Sequence, residues 1–270
     1  MLASLIPASI LQGDLASAPG EMLLFSVLFG TLLLLAMLAL LRAAPAWPEP
    51  SHTLTDWRAA LRRMAVNRGF RRLLAPYFLD ALSVSLPATL ALFFISDRLQ
   101  AGSMAGPFLA CYFAAAACGL PLWTRLAGRI GPAACWRVGM ALAVLGFAGV
   151  SLLGPGDTWP YLAVCIAAGA ALGAELAMPP VLLARLIDAG EPAGVYYGTL
   201  TLLGKLELAL SGLALPVLAW LGYQPGLVEG TLALTLSYAA VPCVLKLLAL
   251  LSLSRLESST TSSPLLRSIP

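Results

Sequence analysis

Charge is what this chain has least of. Only 11% of its 270 residues are charged and 60% are hydrophobic, against about 25% and roughly 45–50% in soluble domains. A soluble fold of this length cannot hide so much apolar surface, whereas a bilayer accepts it. Histidine is nearly absent: His52 is the single one, in a polar stretch, which excludes a histidine-based metal site inside an apolar run. The five cysteines, at 111, 118, 135, 165 and 243, form no CxxC or CxxH pattern. A zinc site or a disulfide framework is therefore not expected, and the cysteines read as small helix-packing residues. There is no Gly-x-Ser-x-Gly, no histidine in an apolar run and no pair of aspartates within one, so an intramembrane enzyme on a lipid-linked substrate is disfavoured. Residues 1–20 hold Asp14 but no Lys or Arg, and so lack the basic n-region of a signal peptide.

What the chain does have is long apolar stretches. A bilayer core of about 30 Å needs roughly 20 apolar residues as helix. Seven stretches qualify, near 22–41, 73–95, 107–126, 136–153, 159–187, 195–221 and 231–253. The fold class is all-α, a polytopic transmembrane helix bundle of about seven spans. Most connections are short and carry Gly, Pro or Asp, as at GPGD (154–157) and GYQPG (222–226).

Counting Lys and Arg by side orients the bundle. Arg42, Arg58, Arg62, Arg63, Arg68, Arg71 and Arg72 lie between the first two spans, Arg125, Arg129 and Arg137 in the next even connection, and Arg185 in the next. Lys246, Arg255 and Arg267 are counted with the tail, which puts fourteen of the sixteen basic residues on one side. Arg98 lies opposite and Lys205 inside a span. The positive-inside rule makes the fourteen-residue side cytoplasmic, with the N-terminus outside and the C-terminus inside. An external start ahead of an odd number of spans suggests a truncated chain or one begun at an internal Met.

The division expected is an external segment with one span (1–42), a cytoplasmic linker (43–72), a six-helix bundle (73–255) and a disordered tail (256–270). In the linker, Thr53, Leu54, Trp57, Leu61 and Met64 recur at helical spacing beside Arg58, Arg62 and Arg63. This reads as a basic amphipathic helix at the membrane surface, or equally as a solvated linker helix. The tail sequence SSTTSSP (258–264) is low-complexity.

Ionisable residues inside spans are costly and usually face a cavity. Lys205 lies roughly 14 Å from the cytoplasmic end of the sixth span, and Glu175 roughly 24 Å from the outer end of the fifth. A Lys205–Glu175 pair follows, with Glu207 as a second partner for the lysine; the pair either lines a substrate path or only ties helices together. Asp80, in the second span, either lines the same path or accepts from Arg71 or Arg72. Arg185 and Asp188 form a gate or interface pair at the inner end of the fifth span. Pro179 and Pro180 leave the carbonyls of Glu175 and Leu176 without their helical donors. That is either the interrupted helix of a transport site or a packing kink. Gly169 and Gly173 make a GxxxG suited to close helix approach. Trp123, Tyr112, Tyr196, Tyr197 and Tyr238 are candidates for stacking on a sugar, or interface anchors.

Four stretches together resemble one family. NRGFRRLLAPYFLDALSVSLPATLALFFISDRL (67–99), LPLWTRLAGRIGPAACWRVG (120–139), GAALGAELAMPPVLLARLID (169–188) and YYGTLTLLGKLELALSGLALPVLAWLGYQPG (196–226) resemble the C-terminal half of glycoside–pentoside–hexuronide:cation symporters, the melibiose-permease-like branch of the major facilitator superfamily. Arg185 departs from the small or acidic residue expected before Asp188. The resemblance implies two six-helix halves with substrate held between them, in a bacterial inner membrane. It implies secondary transport of a sugar or related polar solute by alternating access, driven by Na+ or H+, with no catalytic or metal-ligating residue and no cofactor beyond the coupling ion. Lys205, Glu175, Glu207 and Asp80 would line the pathway, and Arg125, Arg129, Arg185 and Asp188 the inner gate. The family's cation-binding carboxylates lie in the N-terminal half, of which this chain would hold only the last span. The alternative is an inactive fragment, or an assembly partner of a separate N-terminal half.

The orientation is testable directly. A reporter fused after Arg63 should read out as cytoplasmic, and one fused after Gly156 as extracytoplasmic. The reverse pattern would overturn it.

Overall fold

A computed structural model describes residues 18–43, 57–188, 191–226 and 231–261. Seven of its helical stretches are long and apolar enough to cross a membrane: Met22–Ala43, Arg68–Arg98, Gly102–Ile130, Pro132–Leu152, Thr158–Leu186, Ala193–Trp220 and Thr231–Ser254. They are the seven stretches expected, most of them extended at one or both ends. Residues 1–17, the Pro-rich 44–56 with His52, Thr53 and Leu54, and 262–270 lie outside the described residues.

The chain divides into two compact units, Met1–Leu54 and Thr55–Pro270. The first contributes one described helix, α1 (Ala18–Ala43). It is apolar all round, as expected of a helix that meets lipid on its exposed faces.

The second unit begins with α2 (Trp57–Val66), the basic helix expected from the linker. Ala60 and Met64 are buried and the Thr199 hydroxyl donates to Met64 Sδ at 3.3 Å, so α2 packs on the bundle through its apolar face. The chain turns at Asn67, whose side chain caps α3 (Arg68–Phe93) by accepting from the Phe70 amide at 3.0 Å. That cap explains why the helix starts well before the apolar run, at Arg68. A π turn, Phe94–Arg98, ends the span.

Helices α4 (Ala105–Ile130), α5 (Pro132–Ala148) and α6 (Thr158–Leu186) follow. Then come α7 (Ala193–Gly212) and α8 (Ala214–Trp220), which together make one span, and α9 (Thr231–Thr235). A second π turn, Leu236–Ala240, leads into α10 (Val241–Thr261). Helix α6 packs against α4 and α5, and α3 against α10 and α7. Pro179 and Pro180 sit inside α6 without ending it.

Two apolar clusters fill the unit. One holds Leu90, Phe94, Phe108, Phe147, Tyr161 and Tyr238; the other holds Phe70, Leu73, Trp123, Trp136, Met178 and Leu253. Three of the proposed sugar-stacking aromatics are core residues within these clusters. Trp123 donates to the Ala170 carbonyl at 2.6 Å, Tyr196 packs edge-on against Phe70 at 5.0 Å, and Tyr238 stacks on Phe94 at 4.3 Å and shares a hydroxyl hydrogen bond with Tyr161 at 2.7 Å. All five cysteines are free thiols.

The GxxxG is where α4 and α6 touch. A Cβ on Gly169 would lie 2.1 Å from the Tyr112 carbonyl oxygen, and one on Gly173 would lie 3.0 Å from that of Ala116. Backbone cannot swing aside as a side chain can, so Gly169→Ala must push the helices apart, at a cost of about 1–3 kcal/mol. Gly128, also in α4, has open space around its Cβ position, and Gly128→Ala should be neutral or mildly stabilising. Thermal unfolding of the purified variants, followed by intrinsic fluorescence, should show this contrast; equal midpoints would rule out close packing at Gly169.

Candidate functional site

Between the two apolar clusters lies a layer of charge. On α3, Asp80 falls after Leu73 of one cluster and before Leu90 of the other. On α6, Glu175 falls between Ala168 and Met178, and on α10 Lys246 falls between Cys243 and Ala249. At 1.5 Å per residue the three lie about 12–18 Å from the Arg68, Leu186 and Ser254 ends of their spans. Three helices thus deliver charged side chains to one depth.

The three side chains meet. Lys246 Nζ donates to Asp80 Oδ1 at 2.9 Å and to Glu175 Oε1 at 2.6 Å. Trp136 on α5 donates from Nε1 to Asp80 Oδ2 at 2.8 Å. Asp80, Glu175 and Lys246 are 3, 7 and 2% exposed. Four helices are tied at one point, two carboxylates to a single ammonium.

This geometry corrects three sequence expectations. Glu175 pairs with Lys246, and Lys205 is exposed on α7. Asp80 is held by Lys246 and Trp136 in the interior, well away from an interface pairing with Arg71 or Arg72. Lys246 is a buried span residue, which leaves thirteen basic residues on the side where fourteen were counted. The signal for Lys246 was present: VPCVLKLLALL (241–251) sets the lysine among apolar residues inside the stretch 231–253, read as a span. Nothing in the sequence indicated Trp136 as a donor.

A second polar group runs along the α3–α7 seam. The Ser85 hydroxyl donates to Glu207 Oε2, and the Thr89 and Ser211 hydroxyls lie 3.2 Å apart. Lys205 is the electrostatic neighbour of Glu207. Of the residues expected on the pathway, Glu207 belongs to this seam, Lys205 is exposed on another face of α7, and Asp80 and Glu175 belong to the buried layer.

At the α2 end of the unit, a cavity of about 700 Å3 is lined by Arg62, Arg63, Asn67, Arg185, Asp188 and Glu191, among others. Asn67 Nδ2 donates to the Leu186 carbonyl at 3.0 Å, and Arg63 reaches Glu191 at 3.5 Å. Arg185 and Asp188 are thus brought to one cavity, joined there by α2, while Arg125 and Arg129 are exposed near the end of α4. At the opposite end, Tyr223 donates to Asp97, which also accepts from the Gly226 amide at 3.0 Å. Burial, with the Asp97 hydrogen bond and charge in support, pushes the Tyr223 phenol above its ordinary range.

A helical bundle with a sparse polar interior is the plan of a membrane carrier, and the family comparison decides which kind: the model of the family described as MFS/sugar transport protein matches residues 1–258. The chain belongs to this melibiose-permease-like family. No curated protein matches it. As a member of the MFS/sugar transport family it is a multi-pass membrane protein and a transporter of the major facilitator type. In this chain the buried charge lies in the six-span unit, on α3, α6 and α10.

Lys246→Met leaves two carboxylates buried with no cation between them. Removing one partner of a buried ion pair costs about 3–5 kcal/mol, whereas replacing the whole group with neutral residues is often tolerated. Lys246→Met should therefore lose most monodisperse protein in detergent, and adding Asp80→Asn and Glu175→Gln should recover much of it. Fluorescence-detected size-exclusion chromatography measures both. A well-folded single variant would show that the layer is not electrostatically closed.

Proposed function

We propose that this transporter moves a sugar or related polar solute together with Na+ or H+ by alternating access, in a plasma membrane with the α2 end of the six-span unit facing the cytoplasm. The observation that carries the reading is the position of Lys205. It sits about 18 Å or more from either end of its span at 1.5 Å per residue, yet its side chain is exposed on the surface of the unit. A lysine at that depth is too far in to reach the headgroups and too costly to leave in lipid. The face of α7 that bears it must meet water or protein.

Round the helix from that face, Glu207 and Ser211 face α3, within hydrogen-bonding reach of Ser85 and Thr89. Hydroxyls and one charge of each sign suit a polyhydroxylated solute, which is recognised by hydrogen bonds rather than by net charge. Alternating access needs this face to work against a second bundle that closes over the solute, and the arginine-lined cavity with Asp188 and Glu191 is the natural inner gate.

Uptake by native membrane vesicles, where the chain has the partners it requires, tests the reading. Under an imposed Na+ or proton gradient, at least one of a panel of radiolabelled mono- and disaccharides should accumulate. Lys205→Ala should lower that uptake at least tenfold while abundance in the membrane stays near normal, because Lys205 is not part of the buried charged layer. Parallel loss of abundance and uptake would assign Lys205 a structural role. Unchanged uptake would remove α7 from the pathway.

A further inference from the structure

The buried layer does not balance. Asp80 and Glu175 bring two carboxylates to the single ammonium of Lys246, so the group carries a net charge of −1 when all three are ionised. That charge lies among helices that span a membrane, where an uncompensated charge is costly. Among the described residues, the other titratable groups whose electrostatics involve it are Tyr77 on α3, influenced by Asp80 and by Glu207 of α7, Tyr112 on α4, beside Glu175, and Cys243 on α10, beside Lys246. Phenols and thiols are neutral or anionic, so none of these supplies positive charge. Trp136, from α5, offers a neutral N–H.

We propose that the Asp80–Lys246–Glu175 group binds and releases one proton, with Glu175 as the carboxylate that takes it. The ammonium, 2.9 and 2.6 Å from the two carboxylates, already occupies the space between them that a bridging metal cation would fill. A proton needs no such space. It adds to a carboxylate oxygen, takes the group from −1 to 0, and returns to water on release.

The hydrogen bonds select Glu175. Both oxygens of Asp80 face donors, Lys246 Nζ on one and the indole N–H of Trp136 on the other. A hydroxyl formed at either would be set against an N–H that can only donate. Glu175 is bonded to Lys246 through Oε1, an oxygen that can stay an acceptor while Oε2 takes the proton. The proton site does not rest on the transporter reading.

Difference infrared spectroscopy of the full chain in lipid nanodiscs, titrated between acid and alkaline pH, tests the site without any solute. The carbonyl stretch of a protonated carboxylic acid should appear as pH falls, shift in deuterated buffer, vanish in Glu175→Gln and persist in Glu207→Gln. Asp80→Asn balances the group at zero with Glu175 ionised, and should move the midpoint of the band to lower pH by about one to three pH units. This variant keeps the test decisive if Glu175→Gln folds poorly. No titrating band, a band that survives Glu175→Gln, or a midpoint indifferent to Asp80→Asn overturns the proposal.

Discussion

The contact on which the six-span unit depends is that of one ammonium with two carboxylates at the centre of the bundle. Apolar packing inside a membrane has little directional preference, because lipid tails are as apolar as leucine. Apolar surfaces alone would let α3, α6 and α10 rotate or slide with small penalties. The Lys246 bonds to Asp80 and Glu175 forbid that, since any displacement of a span by a turn would leave a charge in hydrocarbon. Register and rotation of three helices are set together, and Trp136 adds α5 through Asp80. The two apolar clusters lie on either side of this layer, and the small residues at the α4–α6 contact let α4 approach closely.

Two lysines in this unit illustrate how burial decides role. Lys246 is enclosed and doubly bonded, so its charge is consumed by the fold. Lys205 is exposed on a span, so its charge is available to whatever occupies the space beside α7. The first makes the unit stable only while its partners stay in place. The second makes sense only if the face is covered by water, solute or protein. A bundle carrying both has a tied inside and one face that must meet water, solute or protein.

The spans and their number were legible in the sequence because a bilayer imposes one length scale, and every span meets it. The linker helix was legible from its period, and the α4–α6 contact from Gly169 and Gly173. The charged layer was legible only in part. Asp80 and Glu175 stand out as acids within apolar runs, but depth along a span does not say which way a side chain points. Lys205 and Glu175 match in depth and still face different directions, the one outward and the other into the core. Lys246 was obscured by a count that assigned basic residues to ends of spans, when its apolar neighbours place it inside one. The aromatics show the same gap: Trp123, Tyr196 and Tyr238 sit at positions that suit a sugar or an interface equally, and only packing shows that they fill the core.

Each helix that supplies a charge to the layer carries a backbone interruption along its span. Asp80 lies between Pro76 and Pro87 of α3. Glu175 lies four residues before Pro179, so its carbonyl lacks a helical donor. Lys246 follows the π turn at Leu236–Ala240. Helices α5 and α7 contain no internal proline after their first turn. Bends concentrate where prolines and π turns remove or lengthen the i→i−4 bond, so each helix that supplies a charge has a point along it at which bending costs little. A change of charge in the layer, such as a proton added to or lost from Glu175, alters the force between helices at the level where their backbones yield. The ion pairs hold these spans in register across helices whose own hydrogen bonding is interrupted.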